Sequence, residues 1–391
     1  MPDQPLPEPA LPEPGLPLAG HRVIEIGHSV AAPYAALVLA ELGAEVIKVE
    51  RPGPGDDARG WGPPFVDGMA TLFHALNRLK RSVTLDLKSP EGVGKLKRLA
   101  GRSDAVIQNL KPGLAERLGI GAEALMTENP RLVYASIHAF GREGPLKDRP
   151  GYDPLMQAFG GLMSVTGQPG QPSVRIGPSI IDMGTGMWVA MGIVTALLRR
   201  AETGRGGVVD TSLFDTALGW MTYFLASFSA SGKVPGKSGS GTMMIAPYQA
   251  FPTGDGELVI AAGNDTLFAR LADALGHADW AKDPRFLTNA LRVENKPALA
   301  ALITAETSRT TTAEVAARLD WAGVPNAPVN TVDQVAACPQ TEASGMLRGA
   351  GTLRFFGLPM AFDGQRPARE APAPRLGADN DWLERLIAED W

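Results

Sequence analysis

The sequence predicts an α/β protein: a large doubly wound, Rossmann-like domain on a parallel sheet, plus a smaller α+β domain. Three observations carry this reading. Short β-branched runs alternate with helical stretches through the first half of the chain. The opening trio, residues 22–26 (RVIEI), 33–42 and 45–49 (EVIKV), makes a compact βαβ unit. A Gly- and Ser-rich stretch at 229–247 then breaks the pattern, and a hairpin signal with three helices follows it.

In chain order, residues 1–20 form a Pro, Glu and Leu tail, where prolines remove donors and fix φ, so neither helix nor sheet is expected. The large domain runs over 21–228. Pro33 suits a first helical turn and Gly43 a stop. Residues 51–67 are irregular and rich in Gly and Pro, a kind of loop that often carries function. Strands follow at 82–87, 105–108 and 132–137, with a helix over 90–100. A helix is expected over 151–163, a loop over 164–172, and an apolar helix from 213 to 228. The 229–247 stretch is a linker or lid. Residues 248–324 form the small domain, with strands at 248–251 and 257–261 around Gly254-Asp255-Gly256. Residues 325–391 return to complete the large domain.

Composition narrows the function. Hydrophobic residues at 44% and charged residues at 20% describe an ordinary globular protein. The net charge of −5 argues against a nucleic-acid binder working through its overall field. The single cysteine, Cys338, excludes intrachain disulfides and suggests a buried, inert thiol in a reducing compartment. No signal peptide is read at the N-terminus and no apolar run of membrane-spanning length, so the cytoplasm is the expected location.

Several motifs fail their own tests. The first strand–helix turn has only Gly27 before His28-Ser29-Val30, so the dinucleotide fingerprint is missing. The 232–238 stretch (GKVPGKS) lacks the first glycine of a phosphate-binding P-loop, and an apolar helix precedes it instead of a strand. The five histidines have no metal-ligand spacing, so no metal is expected. His28 and His138 stand apart because both follow strands, at the edge where open α/β sheets bind ligands. Arg51, Lys80, Arg81, Lys111 and Arg117 also follow strands, and such a set suits phosphate groups.

The segment 177–210 concentrates the remaining chemistry. Asp182 follows Ile180-Ile181 and precedes an apolar helix expected over 185–200. Locally it reads as an N-cap, among the commonest uses of aspartate. Its apolar and glycine neighbours also allow a partly desolvated carboxylate. Gly184 and Gly186 strip side chains from the first turn, so that another molecule can approach the backbone.

Five separated pieces, GAEVIKVERPGPGDDAR (43–59), LNRLKRSVTLDLK (76–88), GYDPLMQAFGGLMSVTG (151–167), IDMGTGM (181–187) and TGRGGVVD (203–210), resemble the class III CoA-transferases, the family of formyl-CoA transferase and carnitine CoA-transferase. APYQAF (246–251) with AAGND (261–265) is most similar to its succinyl-CoA:glutarate-type members. The resemblance implies a homodimer of interlocked rings that takes an acyl-CoA and a carboxylic acid, with no tightly bound cofactor. It implies Asp182 as the nucleophile, forming an aspartyl anhydride and then an aspartyl-CoA thioester. CoA contacts fall on Arg51, Leu76, Asn77, Asn109, Leu110, Arg117, His138, Ala139 and Phe140, with His28 and Val30 in the loop beside the thioester. A glycine lid falls on Gly239, Ser240 and Gly241. The family's α-methylacyl-CoA racemases place a histidine where Tyr152 stands, and tyrosine is a poor base at neutral pH. Racemase and non-catalytic CoA-binding protein are the alternatives.

Overall fold

A computed structural model describes residues 15–388. Its chain divides into two units. The larger comprises the residues up to Leu162, Ile176–Tyr223 and Pro339 onward; the smaller comprises Met163–Arg175 and Phe224–Cys338.

The larger unit is built on six parallel strands: β1 (Arg22–Ile26), β2 (Glu45–Glu50), β3 (Lys80–Thr84), β4 (Ala105–Gln108), β5 (Val133–His138) and β6 (Gly207–Ser212). Their spatial order is β3-β2-β1-β4-β5-β6, the doubly wound arrangement whose direction reverses between β1 and β4. The helices that set the core and the site are α1 (Ala31–Glu41), α2 (Pro90–Gly101), α3 (Asp153–Phe159), α4 (Ile180–Thr203), α5 (Leu213–Trp220) and α6 (Asn380–Ala388). One hydrophobic cluster joins α1, α4 and α5 to the sheet; a second joins α2 and α6 to it. Helices thus cover both faces, which is why the strands read as near-continuous apolar runs. The return of the C-terminal segment is held by Asp379, which accepts from the Ser82 N–H at 2.8 Å and pairs with Arg81 at 3.0 Å.

α1 is buried along almost its whole length and lies against α4. That contact explains Gly186. A Cβ there would stand 2.8 Å from the Ala31 carbonyl oxygen and 3.0 Å from the Ala35 nitrogen, both backbone atoms of α1. A Cβ on Gly184 would meet Trp220 at 2.9 Å. Both glycines serve helix packing, which corrects the expectation that they admit another molecule. Gly186→Ala should therefore cost about 1–3 kcal/mol of stability, read as a lower denaturant midpoint. An unchanged midpoint would show that the two helices are free to separate.

α4 begins at Ile180, five residues before the expected start, and runs for 24 residues. It is long and apolar enough to cross a membrane by length and composition, against the expectation of no such run; half of its apolar window is buried within the fold. Met187, Trp188, Met191 and Leu198 remain exposed along it. The expected single helix over 213–228 is interrupted at Met221 and continues over Thr222–Ser231.

The smaller unit holds a three-stranded antiparallel sheet of β7 (Tyr248–Pro252), β8 (Glu257–Ala261) and β9 (Asn326–Pro328), with Phe251 opposite Leu258. Helices pack Phe268, Leu271, Trp280 and Leu319 against it. Arg292 is fully buried there and donates to the Ala246 and Phe286 carbonyls. Cys338 is half-buried rather than fully enclosed. The first fourteen residues of the proline-rich tail lie outside the described residues. Its end is anchored: Leu18 is buried and its N–H donates to the Leu42 carbonyl at 2.9 Å.

Candidate active site

Asp182 is the third residue of α4, and Ser179 occupies the N-cap position without a side-chain hydrogen bond. The cap comes from elsewhere. Asp153, buried at the start of α3, accepts through one oxygen from the Ile181 N–H at 2.8 Å and the Asp182 N–H at 3.3 Å. Its other oxygen accepts from the Gln157 side-chain amide at 2.6 Å, while the Gln157 carbonyl accepts from the Ile176 N–H at 2.8 Å. A carboxylate at a helix start satisfies free N–H groups and suits the helix dipole. The local reading of Asp182 as the cap is thus overturned. Asp153 takes that work, and the Asp182 carboxyl is left to the cavity that it lines.

Two effects act on that carboxyl. Burial disfavours its charge, and the neighbouring Asp153 carboxylate disfavours it further. Together they push its pKa up to about 7. The site thus holds a carboxyl that is partly ionised at neutral pH, a perturbation typical of functional groups.

The cavity is about 470 Å³ and opens at the C-terminal ends of the strands. Of the expected positions, His28, Asn109, Leu110, Arg117, His138 and Ala139 line it with Asp182. His28 follows β1 and Asn109 follows β4, the two strands between which the winding reverses. They hold each other across that gap. The Asn109 side-chain oxygen accepts from the His28 backbone N–H at 3.0 Å and lies 2.8 Å from its Nδ1, and the Asn109 side-chain NH2 donates to the His28 backbone carbonyl at 2.9 Å. His138 lies 3.3 Å from the Asp210 carboxylate. Lys111, Arg149 and Tyr152 also line the cavity. Arg149 went unassigned in the sequence, although its basic, proline-flanked loop after β5 was the available signal.

Arg51 lines a second cavity of about 310 Å³, which shares His28 and Leu110 with the first. Its Nε donates to the Gly55 carbonyl at 2.8 Å and its guanidinium pairs with Asp57. Leu76 and Asn77 reach neither cavity. Leu76 is buried, and Asn77 donates to the Phe73 carbonyl at 3.1 Å while accepting from Lys80 at 2.9 Å. Val30 is buried at the start of α1. Phe140 is buried with its ring 5.2 Å from Phe159 and 5.8 Å from Phe214. These four stand one layer behind the lining: Leu76 and Asn77 are buried at the end of the helix Thr71–Asn77, and Val30 and Phe140 are buried in the core.

Gly239, Ser240 and Gly241 belong to the smaller unit. Gly239 takes φ +66° and its N–H donates to the Gly167 carbonyl at 3.0 Å. The Ser240 hydroxyl accepts from the Ala250 N–H at 3.0 Å, and the Ser238 hydroxyl donates to the Gly241 carbonyl at 2.8 Å. The segment is a tight turn tethered to β7. Among the described residues no group of three or more His, Cys, Asp or Glu is placed to hold a metal ion.

Comparison with known proteins places the chain among related sequences and structures. Residues 18–380 match the model of CoA-transferase family III. The chain is 37% identical to a succinate–glutarate CoA-transferase of Agrobacterium fabrum, covering 92% of this chain and 93% of that protein. It is also 37% identical to an acetyl-CoA:oxalate CoA-transferase of Acetobacter aceti, covering 94% and 95%. A solved CaiB/BaiF family protein from Brucella suis is 39% identical with a TM-score of 0.87, covering 95% of this chain and 99% of that one.

Proposed function

The chain belongs to CoA-transferase family III, and we propose that within it the protein moves CoA from succinyl-CoA to a dicarboxylic acid through covalent intermediates on Asp182. The carrying observation is a partly ionised, partly dry carboxyl opening onto a cavity flanked by Lys111, Arg117 and Arg149. Cationic side chains of this kind suit the phosphates of CoA and the carboxylates of a diacid. The relatives named above act, by their names, on glutarate and oxalate, both dicarboxylic acids.

In this reading an Asp182 oxygen attacks the donor thioester carbonyl. The carbon–sulfur bond breaks, leaving a mixed anhydride and CoA thiolate. The thiolate attacks the aspartyl carbonyl, expelling the donor acid and leaving an aspartyl-CoA thioester. The acceptor carboxylate attacks that thioester, giving a second anhydride and releasing the thiolate. Attack of the thiolate on the acceptor's acyl carbon yields the new acyl-CoA and restores Asp182. Gly184 lies inside the hydrogen-bond ladder of α4, and the first N–H groups of that helix are taken by Asp153, so oxyanion donors must come from other walls of the site. The same reading makes the chain an interlocked homodimer, which would cover the exposed apolar residues of α4.

Incubation with succinyl-CoA and a panel of dicarboxylic acids, read by mass spectrometry, should show CoA on one acceptor acid. Hydroxylamine added during turnover should leave a hydroxamate on Asp182. If no acid gains CoA and residue 182 is never trapped, the reading fails.

A further inference from the structure

Beneath the active-site cavity lies a cluster of charges that the mechanism does not use. Glu25 on β1, Lys48 on β2 and Lys80 on β3 are sealed from solvent, and Asp56 is nearly so. Glu25 divides its carboxylate between the two ammonium groups, at 2.6 Å from Lys48 and 2.7 Å from Lys80. Asp56 pairs with Lys48 at 2.9 Å. The four charges sum to zero, as burial requires. Burial works against both lysines. At Lys48 the acids outweigh it and keep the group charged; Lys80 is pushed down to about 8, still charged at neutral pH.

Outside the sheet the cluster bonds the Asn77 side chain and the Ala58 N–H, and it also meets the segment from the β1 turn into the first turn of α1 at three points. Lys48 donates to the Gly27 carbonyl at 3.0 Å, Asp56 accepts from the Ser29 N–H at 3.1 Å, and Lys80 donates to the Pro33 carbonyl at 2.8 Å. Ser29 lies between these anchors with φ +69°, a left-handed conformation that a non-glycine residue holds only when its surroundings impose it. Ser29 and His28 both line the cavity that Asp182 faces.

We propose that this buried cluster is a positioning device: through Asp56, Lys48 and Lys80 it clamps the 27–33 segment around left-handed Ser29 and so fixes one wall of the active site. Of the cluster's hydrogen bonds outside the sheet, those to Gly27, Ser29 and Pro33 bracket the left-handed residue and tie the β1 end, the turn and the start of α1 to one buried set of charges. The catalytic consequence rests on the CoA-transferase reading; the clamping of the turn does not.

Asp56→Ala, Asp56→Asn and the parent protein distinguish the possibilities. Amide hydrogen exchange followed by mass spectrometry should show the 27–33 peptide of Asp56→Ala exchanging about tenfold faster or more, with α2 and the smaller unit unchanged. In the same variant kcat for transfer should fall by about 30- to 100-fold, the scale of a misplaced wall, while the Kd for free CoA stays within about threefold. Asp56→Asn keeps an oxygen for the Ser29 and Ala58 N–H groups and should recover most of both losses. If Asp56→Ala fails to fold, Asp56→Glu replaces it; the longer acid keeps its charge near Lys48 but moves the oxygen off Ser29, and the same fast exchange is expected. Wild-type exchange in the 27–33 peptide of a folded variant overturns the clamp, whatever the activity. Fast exchange with unchanged kcat overturns the catalytic part. Absence of transfer in the parent protein would instead remove the enzyme reading and leave the exchange result standing.

Discussion

Asp182→Ala should abolish CoA transfer, with kcat down by about 10⁴-fold or more, the range seen when a covalent nucleophile is removed. CoA binding should be retained, because the remaining cavity wall is untouched. Isothermal titration with free CoA and a coupled transfer assay separate the two. Transfer above a few per cent of the parent rate would sink the nucleophile assignment.

The neutral variant Asp182→Asn carries a second expectation, on stability. The folded-state pKa of Asp182, about 7, lies above the ordinary value of 3.8 that it takes in the unfolded chain. The folded state therefore holds the proton more tightly. That contribution is fully present below pH 3.8 and is lost as pH rises through 7. Above pH 7 the parent carries an ionised carboxylate in a partly dry site beside Asp153. Asp182→Asn removes it and should be the more stable protein at pH 8.5, by up to about 4 kcal/mol. At pH 4 the difference should vanish. Urea midpoints at the two pH values decide it, and an equal gain at both would mean that the carboxyl is not perturbed by folding.

The sheet was legible because its strands are short β-branched runs separated by glycine stops, a pattern that burial on both faces enforces. Strand-end logic singled out His28, His138 and Arg117, while Asn109 and Leu110 were named only by the family resemblance; all five line the cavity. What a single stretch of sequence does not carry is which side chains at the end of an element face the cavity. Leu76 and Asn77 follow the right pattern and still point into the interior, where Asn77 serves Lys80. The start of α4 was misplaced for a related reason. Gly184 and Gly186 resemble breakers, yet each is the space that Trp220 or the α1 backbone occupies. The capping carboxylate was hidden by distance: Asp153 stands 29 residues before Asp182. A local rule then gave the cap to the nearest acid, Asp182 itself.

Asp153 leads to the last expectation, on the pH dependence of acylation. Its charge raises the pKa of Asp182 second only to burial. Asparagine is also a good helix cap, so Asp153→Asn keeps an oxygen for the Ile181 and Asp182 N–H groups while removing that charge. The acid limb of the acylation rate reports ionisation of the nucleophile. In the parent it should fall away as pH drops through about 7. In Asp153→Asn it should move to lower pH, by up to about one pH unit. The variant should then acylate faster than the parent at pH 6. Asp153→Ala removes the charge and the cap together. It should shift the limb the same way, yet lose about 0.5–2 kcal/mol of stability and some of the plateau rate. Single-turnover trapping with hydroxylamine across pH 5–9 reads limb and plateau at once. An acid limb unmoved in both variants would mean that Asp153 acts only as a cap, and that burial alone sets the acidity of the nucleophile.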